Sequence, residues 1–564
     1  MHIPDDDILF SAMNDNKKHF CTIKLIRYTS MAVIAAEVLF IIYMNLFKCA
    51  SYPEMDMAKL YRHAIEMVNN RSVIITGWNY ITTMELDCSL VFALPLYALT
   101  GSIYLSFGIA NIIFLAIFLF VIRDILKKLD VDPLFGYIPV ILFLIPYRMG
   151  MLEYFNMLFY NGGQYTVKVL TPLIVIDLLL EDDKALFSRG HVKNLVLLIA
   201  MIFFMTITSM SSGTYVLMSG LVPIILAYFL NIILGKETGS REGLHYSIFR
   251  SRKICVLLAA LVSFAAGYSL CRILHVSPNS EGMDLVTPHD LIDNIKVTIW
   301  GFFCVFVNPD AEAVTSLDGI MQLVRYVFAF LVIGLIIYNL RKLFKPGEEA
   351  DKQRLLSFPF IITFFILSMT YCCFSDAYYP ERYFFIGLIP LFLTIPGFLR
   401  DLSDAFRTRY PDRGLLLPVV YALLAAVILC LIPISLYNVR LNVRRGYEGG
   451  YANVRSVLDH AAGNGIDSIL WLYDLPDGEV ARLFDTDIRS GVINFSEDDT
   501  PFIDPPRDFY YAAGEASYYS DSHILADKGG ANFNRLPDEI KTAYTAIGNI
   551  GGYELYTSGS VPFK

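Results

Sequence analysis

Long apolar runs, separated by short polar and basic stretches, fill the chain as far as Leu436, where the pattern stops. With their flanking aromatics the runs cover about 17 to 25 residues each, the length that carries an α-helix across a bilayer. Eleven are expected to span, at residues 26–47, 103–122, 134–147, 164–180, 194–209, 214–234, 254–274, 323–340, 355–374, 383–399 and 415–436. The stretch 88–99 is apolar too, yet too short to cross, so it is expected to re-enter or to lie in the interface.

Charge orders these runs. With 88–99 left out, six basic segments fall on one side, including Lys17, Lys18 and Lys24, then Arg123, Lys127 and Lys128, and later Arg341, Lys342, Lys345, Lys352 and Arg354. The positive-inside rule makes that side cytoplasmic. Residues 1–26 become a cytoplasmic segment, 27–436 the membrane domain with a first outer loop at 48–102, and 437–564 an extracytoplasmic domain. The expected location is the plasma membrane, multi-pass. The composition agrees, with 55% hydrophobic, 14% aromatic and 18% charged residues and a mean hydropathy of +0.50, as in a polytopic α-helical membrane protein.

Residues 437–564 carry 11 Lys and Arg against 19 Asp and Glu, so nearly all of the formal charge of −9 resides there. Such an acidic domain has no affinity for nucleic acid. Helical stretches at 451–462, 478–488 and 537–547 alternate with strand-like ones at 466–473, 492–495, 522–526 and 553–556, which predicts a small soluble α/β domain. It contains no cysteine. Cys49 and Cys88 bracket the first outer loop and could pair. No zinc spacing, Walker loop or nucleophile elbow occurs anywhere.

The first outer loop concentrates the candidate chemistry. Ser51, Tyr52, Pro53 and Glu54 form a capping box with proline in the first turn, so a helix begins there. Met57, Leu60, Tyr61, Ala64 and Val68 make its apolar stripe, to lie on the membrane or on the spans, and Asp56, Lys59 and His63 fall along a polar strip. Glu85 and Asp87 follow, next to Trp78, Asn79, Tyr80, Thr82 and Thr83. Acids poised where a chain re-enters lipid are costly without a binding role. Glu37, in the middle of the first span, is either functional or paired with a polar group of another helix.

These parts resemble the GT-C superfamily of integral-membrane glycosyltransferases, of the protein-mannosyltransferase and aminoarabinose-transferase kind. The shared layout is a first span, an early acid on an interfacial helix (Asp56), a second acidic site about thirty residues on (Glu85, Asp87), and a short apolar hairpin at 88–99 leading into the next span. The chain departs from the family at Leu86-Asp87-Cys88, where a His-Pro-Pro is common. The resemblance implies a GT-C-like membrane domain and a polyprenyl-phosphate-linked sugar as donor, with a lipid, glycan or protein acceptor. It also implies catalysis by Asp56 as general base, with Glu85 and Asp87 supporting it or sharing a divalent cation, Mg or Mn. Arg382, Lys168 and Arg148 are candidate cations for the donor phosphate, each with a membrane-anchor reading beside it. Trp78, Tyr80 and His63 are candidate substrate contacts. The competing reading is a polytopic transporter or lipid- or polysaccharide-handling protein, against which stands the lack of internal repeats or paired broken helices.

Overall fold

The computed structural model describes residues 6–51, 55–75, 84–131, 133–147, 153–183, 186, 192–234, 251–274, 287, 289–307, 315–373, 381–409, 416–446, 452–484, 488–496, 498–504 and 523–558. Residues 52–54 of the capping box, Trp78, Tyr80 and Arg148 lie outside them.

Each of the eleven apolar runs lies on a helix. The first is the outer part of α1 (Asp6–Phe47), followed by α2 (Met55–Asn69), α3 (Leu90–Thr100) and α4 (Ile103–Lys128). With 11 residues, α3 is short of spanning length. After α5 (Pro133–Leu144) and α6 (Glu153–Leu158), α7 (Thr166–Leu180) runs through the centre with all of its residues buried. Next come α8 (Val192–Ser212) and α9 (Val222–Leu234), which is entered by a π-helical turn at Leu217–Leu221.

Among the described residues, seven helices are long and apolar enough to cross a membrane, or eight if the pair Arg382–Phe392 and Ile395–Phe406, bent by 49°, counts as one. The other three of the eleven runs, 134–147, 164–180 and 355–374, lie on α5, on α7 and on the Glu348–Cys373 helix, whose first turn is acidic. Apolar content marks a segment as surrounded by protein or lipid but does not distinguish the two. At 12 and 15 residues, α5 and α7 are short for a span, and the fully buried α7 owes its hydrophobicity to packing against neighbours.

Beyond the last membrane helix (Leu416–Gly446) the chain forms an α/β domain. Its strands are β1 (Ser468–Leu472), β2 (Arg489–Phe495), β3 (Pro501–Asp504), β4 (His523–Lys528), β5 (Tyr544–Ile550) and β6 (Tyr553–Ser558), in the order β3-β2-β1-β4-β6-β5. β1 pairs in parallel with β2 and β4, and the outer pairings are antiparallel. Alternate residues of β1 serve opposite faces, as the period of a strand requires: Ile469 and Trp471 join one core, Leu470 and Leu472 the other. The helix expected over 537–547 is instead one turn, Asp538–Lys541, followed by β5. Tyr544, Thr545 and Ile547 are strand formers, and pairing with β6 satisfies a backbone that a second helical turn would have left beside an open sheet edge.

The domain is seated on the membrane body. Ala58 of α2 lies in the same apolar cluster as Val457, Trp471 and Ala481, and Leu483 of the Leu475–Phe484 helix packs against the cluster of Met57, Leu60 and Tyr61.

Candidate functional site

The helix α2 positions the first group of candidate side chains. Its predicted stripe is buried against α4: Leu60, Tyr61 and Ala64 are fully covered, and the Tyr61 ring meets Phe107 with centroids 4.4 Å apart. The strip expected to be polar and open is covered as well, with Lys59 at 8% and His63 at 1% exposure. Lys59 is covered where Glu85 meets it at 2.7 Å, a long-range contact that no local periodicity reports. Asp56, in the first turn of α2, stays partly exposed.

Glu85 and Asp87 reach this region through a pinned segment. The amides of Met84 and Leu86 donate to Ser211, to its carbonyl at 3.3 Å and its Oγ at 3.0 Å, tying the segment to the end of α8. Glu85 adopts φ +56°, rare for a residue with a side chain, and its carbonyl accepts from the Cys88 thiol at 2.9 Å. The turn sends alternate side chains to different partners. Glu85 Oε1 meets Lys59 Nζ at 2.7 Å. Asp87, with no solvent exposure, accepts from Ser212 Oγ at 2.7 Å and faces Lys168 Nζ at 3.5 Å. Cys49 and Cys88 are both free thiols.

Beneath Asp87 lies a polar network that sequence reasoning did not find. Ser89 Oγ donates to Asn111 Oδ1, and Asn111 Nδ2 donates to Asn45 Oδ1 and to the Asn161 carbonyl, both at 3.0 Å. Asn45 Nδ2 donates to the Phe159 carbonyl at 2.6 Å. The network joins α1, α4 and the loop before α7, and it depends on Gly163. That residue has φ +55°, and a Cβ there would stand 2.2 Å from Ser89 Oγ. Its only sequence signal was the pair Gly162-Gly163 flanked by polar and aromatic residues.

On the far side of Asp87, Lys168 lies over the Tyr165 ring at 4.8 Å. The rings of Tyr165, Tyr215 and Tyr383 follow one another at 5.9 and 5.3 Å, so an aromatic wall leads from Lys168 to Arg382, partly exposed in the turn Glu381–Phe384. Tyr165 and Tyr215 were not singled out as site residues in the sequence. Glu37 is fully buried, and among the described residues neither of its carboxylate oxygens has a hydrogen-bond partner.

Burial, followed by the charge of Lys59, lowers the His63 pKa to about 3, so the imidazole is neutral at physiological pH. Buried as it is, His63 does not line an open surface. Among the described residues no three His, Cys, Asp or Glu side chains converge as a metal ligand set.

No protein-family model matches the sequence, and comparison with curated proteins finds no match. Among solved structures the fold is similar to the crystal structure of ArnT from Cupriavidus metallidurans in the apo state. The TM-score is 0.52 at 10% identity, covering 93% of this chain and 97% of that one. A more distant similarity, with TM-score 0.45 and 12% identity over 81% of this chain and 63% of the other, is to the Archaeoglobus fulgidus oligosaccharyltransferase tethered with an acceptor peptide. The likeness is one of fold: over nearly its whole length this chain shares the fold of the first of these structures, and its long apolar helices are those of an integral membrane protein.

Proposed function

We propose that this chain is a membrane glycosyltransferase that moves a sugar from a polyprenyl-phosphate or polyprenyl-diphosphate donor to an acceptor hydroxyl at the outer face, with inversion. The observation that carries the reading is the division of labour among three acids. Among the described residues, Glu85 and Asp87 are each held by a lysine, whereas Asp56 makes no ion pair and keeps its carboxylate partly exposed on a helix clamped from both sides. A general base must be unengaged and reachable, and the partial exposure of Asp56 and its lack of an ion pair among the described residues support that reading.

In this mechanism the Asp56 carboxylate takes the proton of the acceptor hydroxyl as its oxygen attacks the sugar carbon. The bond to the lipid phosphate breaks on the opposite face. Arg382 offsets the charge gathering on the departing phosphate, and the wall of Tyr165, Tyr215 and Tyr383 offers surfaces for the sugar or the first isoprenoid units. Lys59 and Lys168 hold Glu85 and Asp87 in place, so that Glu85 orients the acceptor and the fully buried Asp87 supports the site from behind. The same lysines stand where a shared divalent cation would have to approach both carboxylates, so the pair does not fit an Mg or Mn site, and no step runs through one.

The decisive test is transfer from a synthetic polyprenyl-linked sugar by the purified chain and by Asp56→Asn. Loss of a positioned base lowers the rate by about 100-fold to 10,000-fold while donor binding and thermal stability persist. Undiminished transfer by the variant would remove Asp56 from the mechanism, and absence of donor binding by the wild type would remove the enzyme class.

A further inference from the structure

On the opposite, basic face of the membrane body a cavity of about 160 Å³ opens between the end of α4, the start of the Glu348–Cys373 helix and the bend that separates Phe392 from Ile395. Its inner walls are apolar, formed by Leu129, Phe135, Leu356 and Pro396. The mouth carries two cations, Lys352 and Arg400, and two anions, Asp130 and Glu349, so its formal charge is balanced. Gln353, only 5% exposed, lines the same space. Its amide nitrogen donates to Tyr338 Oη at 3.1 Å, but among the described residues its Oε1 has no partner. A Cβ at residue 397 would sit 2.3 Å from that nitrogen, so Gly397 leaves the room in which Gln353 lies. A buried carbonyl oxygen without a donor is costly and calls for one from outside the chain.

We infer that this cavity binds a phosphoethanolamine group, as the headgroup of a membrane phospholipid or as a free phosphomonoester. A zwitterion matches the lining where a bare anion does not. Its phosphate is placed for Lys352 and Arg400, and its ammonium for Asp130, Glu349 and the orphan Oε1 of Gln353. Arg400 pairs with Glu349 between side chains that are about half exposed, and Lys352, a quarter exposed, pairs with the exposed Glu348 at 2.9 Å and donates to the Lys128 carbonyl at 3.1 Å, so both cations are held by weak, partly solvated partners. The volume suits such a group, being that of roughly five water molecules. The site also lies at headgroup depth, since α4 ends there in Lys127 and Lys128.

The test uses the purified full-length chain in detergent and native mass spectrometry, with phosphatidylethanolamine and phosphatidylcholine of identical acyl chains in competition. The two headgroups differ in the N–H donors that Gln353 and the two acids require. The wild type should retain phosphatidylethanolamine about 10-fold more, Gln353→Leu should abolish the preference, and Arg400→Gln, a surface change that spares folding, should weaken retention of both lipids. Displacement of bound lipid by millimolar phosphoethanolamine assigns the site to the soluble group, and its failure to displace assigns the site to the lipid. Equal retention of the two lipids by the wild type, or an unchanged preference in Gln353→Leu together with unchanged retention in Arg400→Gln, overturns the proposal.

Discussion

Two lysines set the character of the candidate site. Asp87 is fully buried, and Lys168 is the cation that faces it, so Lys168→Met leaves a carboxylate stranded in a dry environment. Breaking a buried pair from one side costs about 3 to 5 kcal/mol, and thermal unfolding in detergent should show a loss of that order. Adding Asp87→Asn should restore most of the stability, because the stranded charge is gone. His63 supplies a pH signature. Its native pKa, about 3, lies below the ordinary 6.5, so the unfolded chain binds the proton more readily. The stability it contributes is complete above about pH 6.5 and is lost as the pH falls toward 3, which amounts to about 2 kcal/mol between pH 7 and pH 5. His63→Gln should flatten the unfolding profile over that window, and an unchanged slope would assign the acid sensitivity to other groups.

At the scale of elements, the site rests on contacts between segments far apart in sequence. Gly163 is the joint at which the loop before α7 admits Ser89 and Asn111. Gly163→Ala meets both a left-handed backbone and an occupied space, so it should destabilise by about 1 to 3 kcal/mol and reduce transfer even though Asp56 is intact. Retained transfer with normal stability would separate the network from the site. The same distinction explains what the sequence disclosed. The apolar stripe of α2, the short α3 and the acids around it are local signals of period, length and residue type, and they were legible. The burial of Lys59 and His63, the lysine partners of Glu85 and Asp87, and the Ser89–Asn111–Asn45 network arise where distant elements meet, so no window of sequence contained them. β5 was misread for a related reason: its strand formers Tyr544, Thr545 and Ile547 became decisive only through the edge pairing with β6.

The whole molecule joins an acidic domain to the helix that carries the proposed base. Ala58 is fully buried in the core shared with Trp471 and Ala481, so Ala58→Arg should lift the domain from α2 and lower transfer without touching Asp56, with increased protease access between the last span and β1 as the independent readout. This arrangement also requires α2, Asp56 and the domain to share one side of the membrane. Ser496 is partly exposed at the end of β2, and by the positive-inside rule the six basic segments predict that its side is the outer one. A single cysteine at Ser496 should therefore react with an impermeant maleimide on intact cells, while one at Ser240, which follows α9 in sequence, should react only after permeabilisation. The opposite pattern would put the Asp56 site in the cytoplasm, where an outer-face donor could not reach it, and would overturn the orientation together with the proposed reaction.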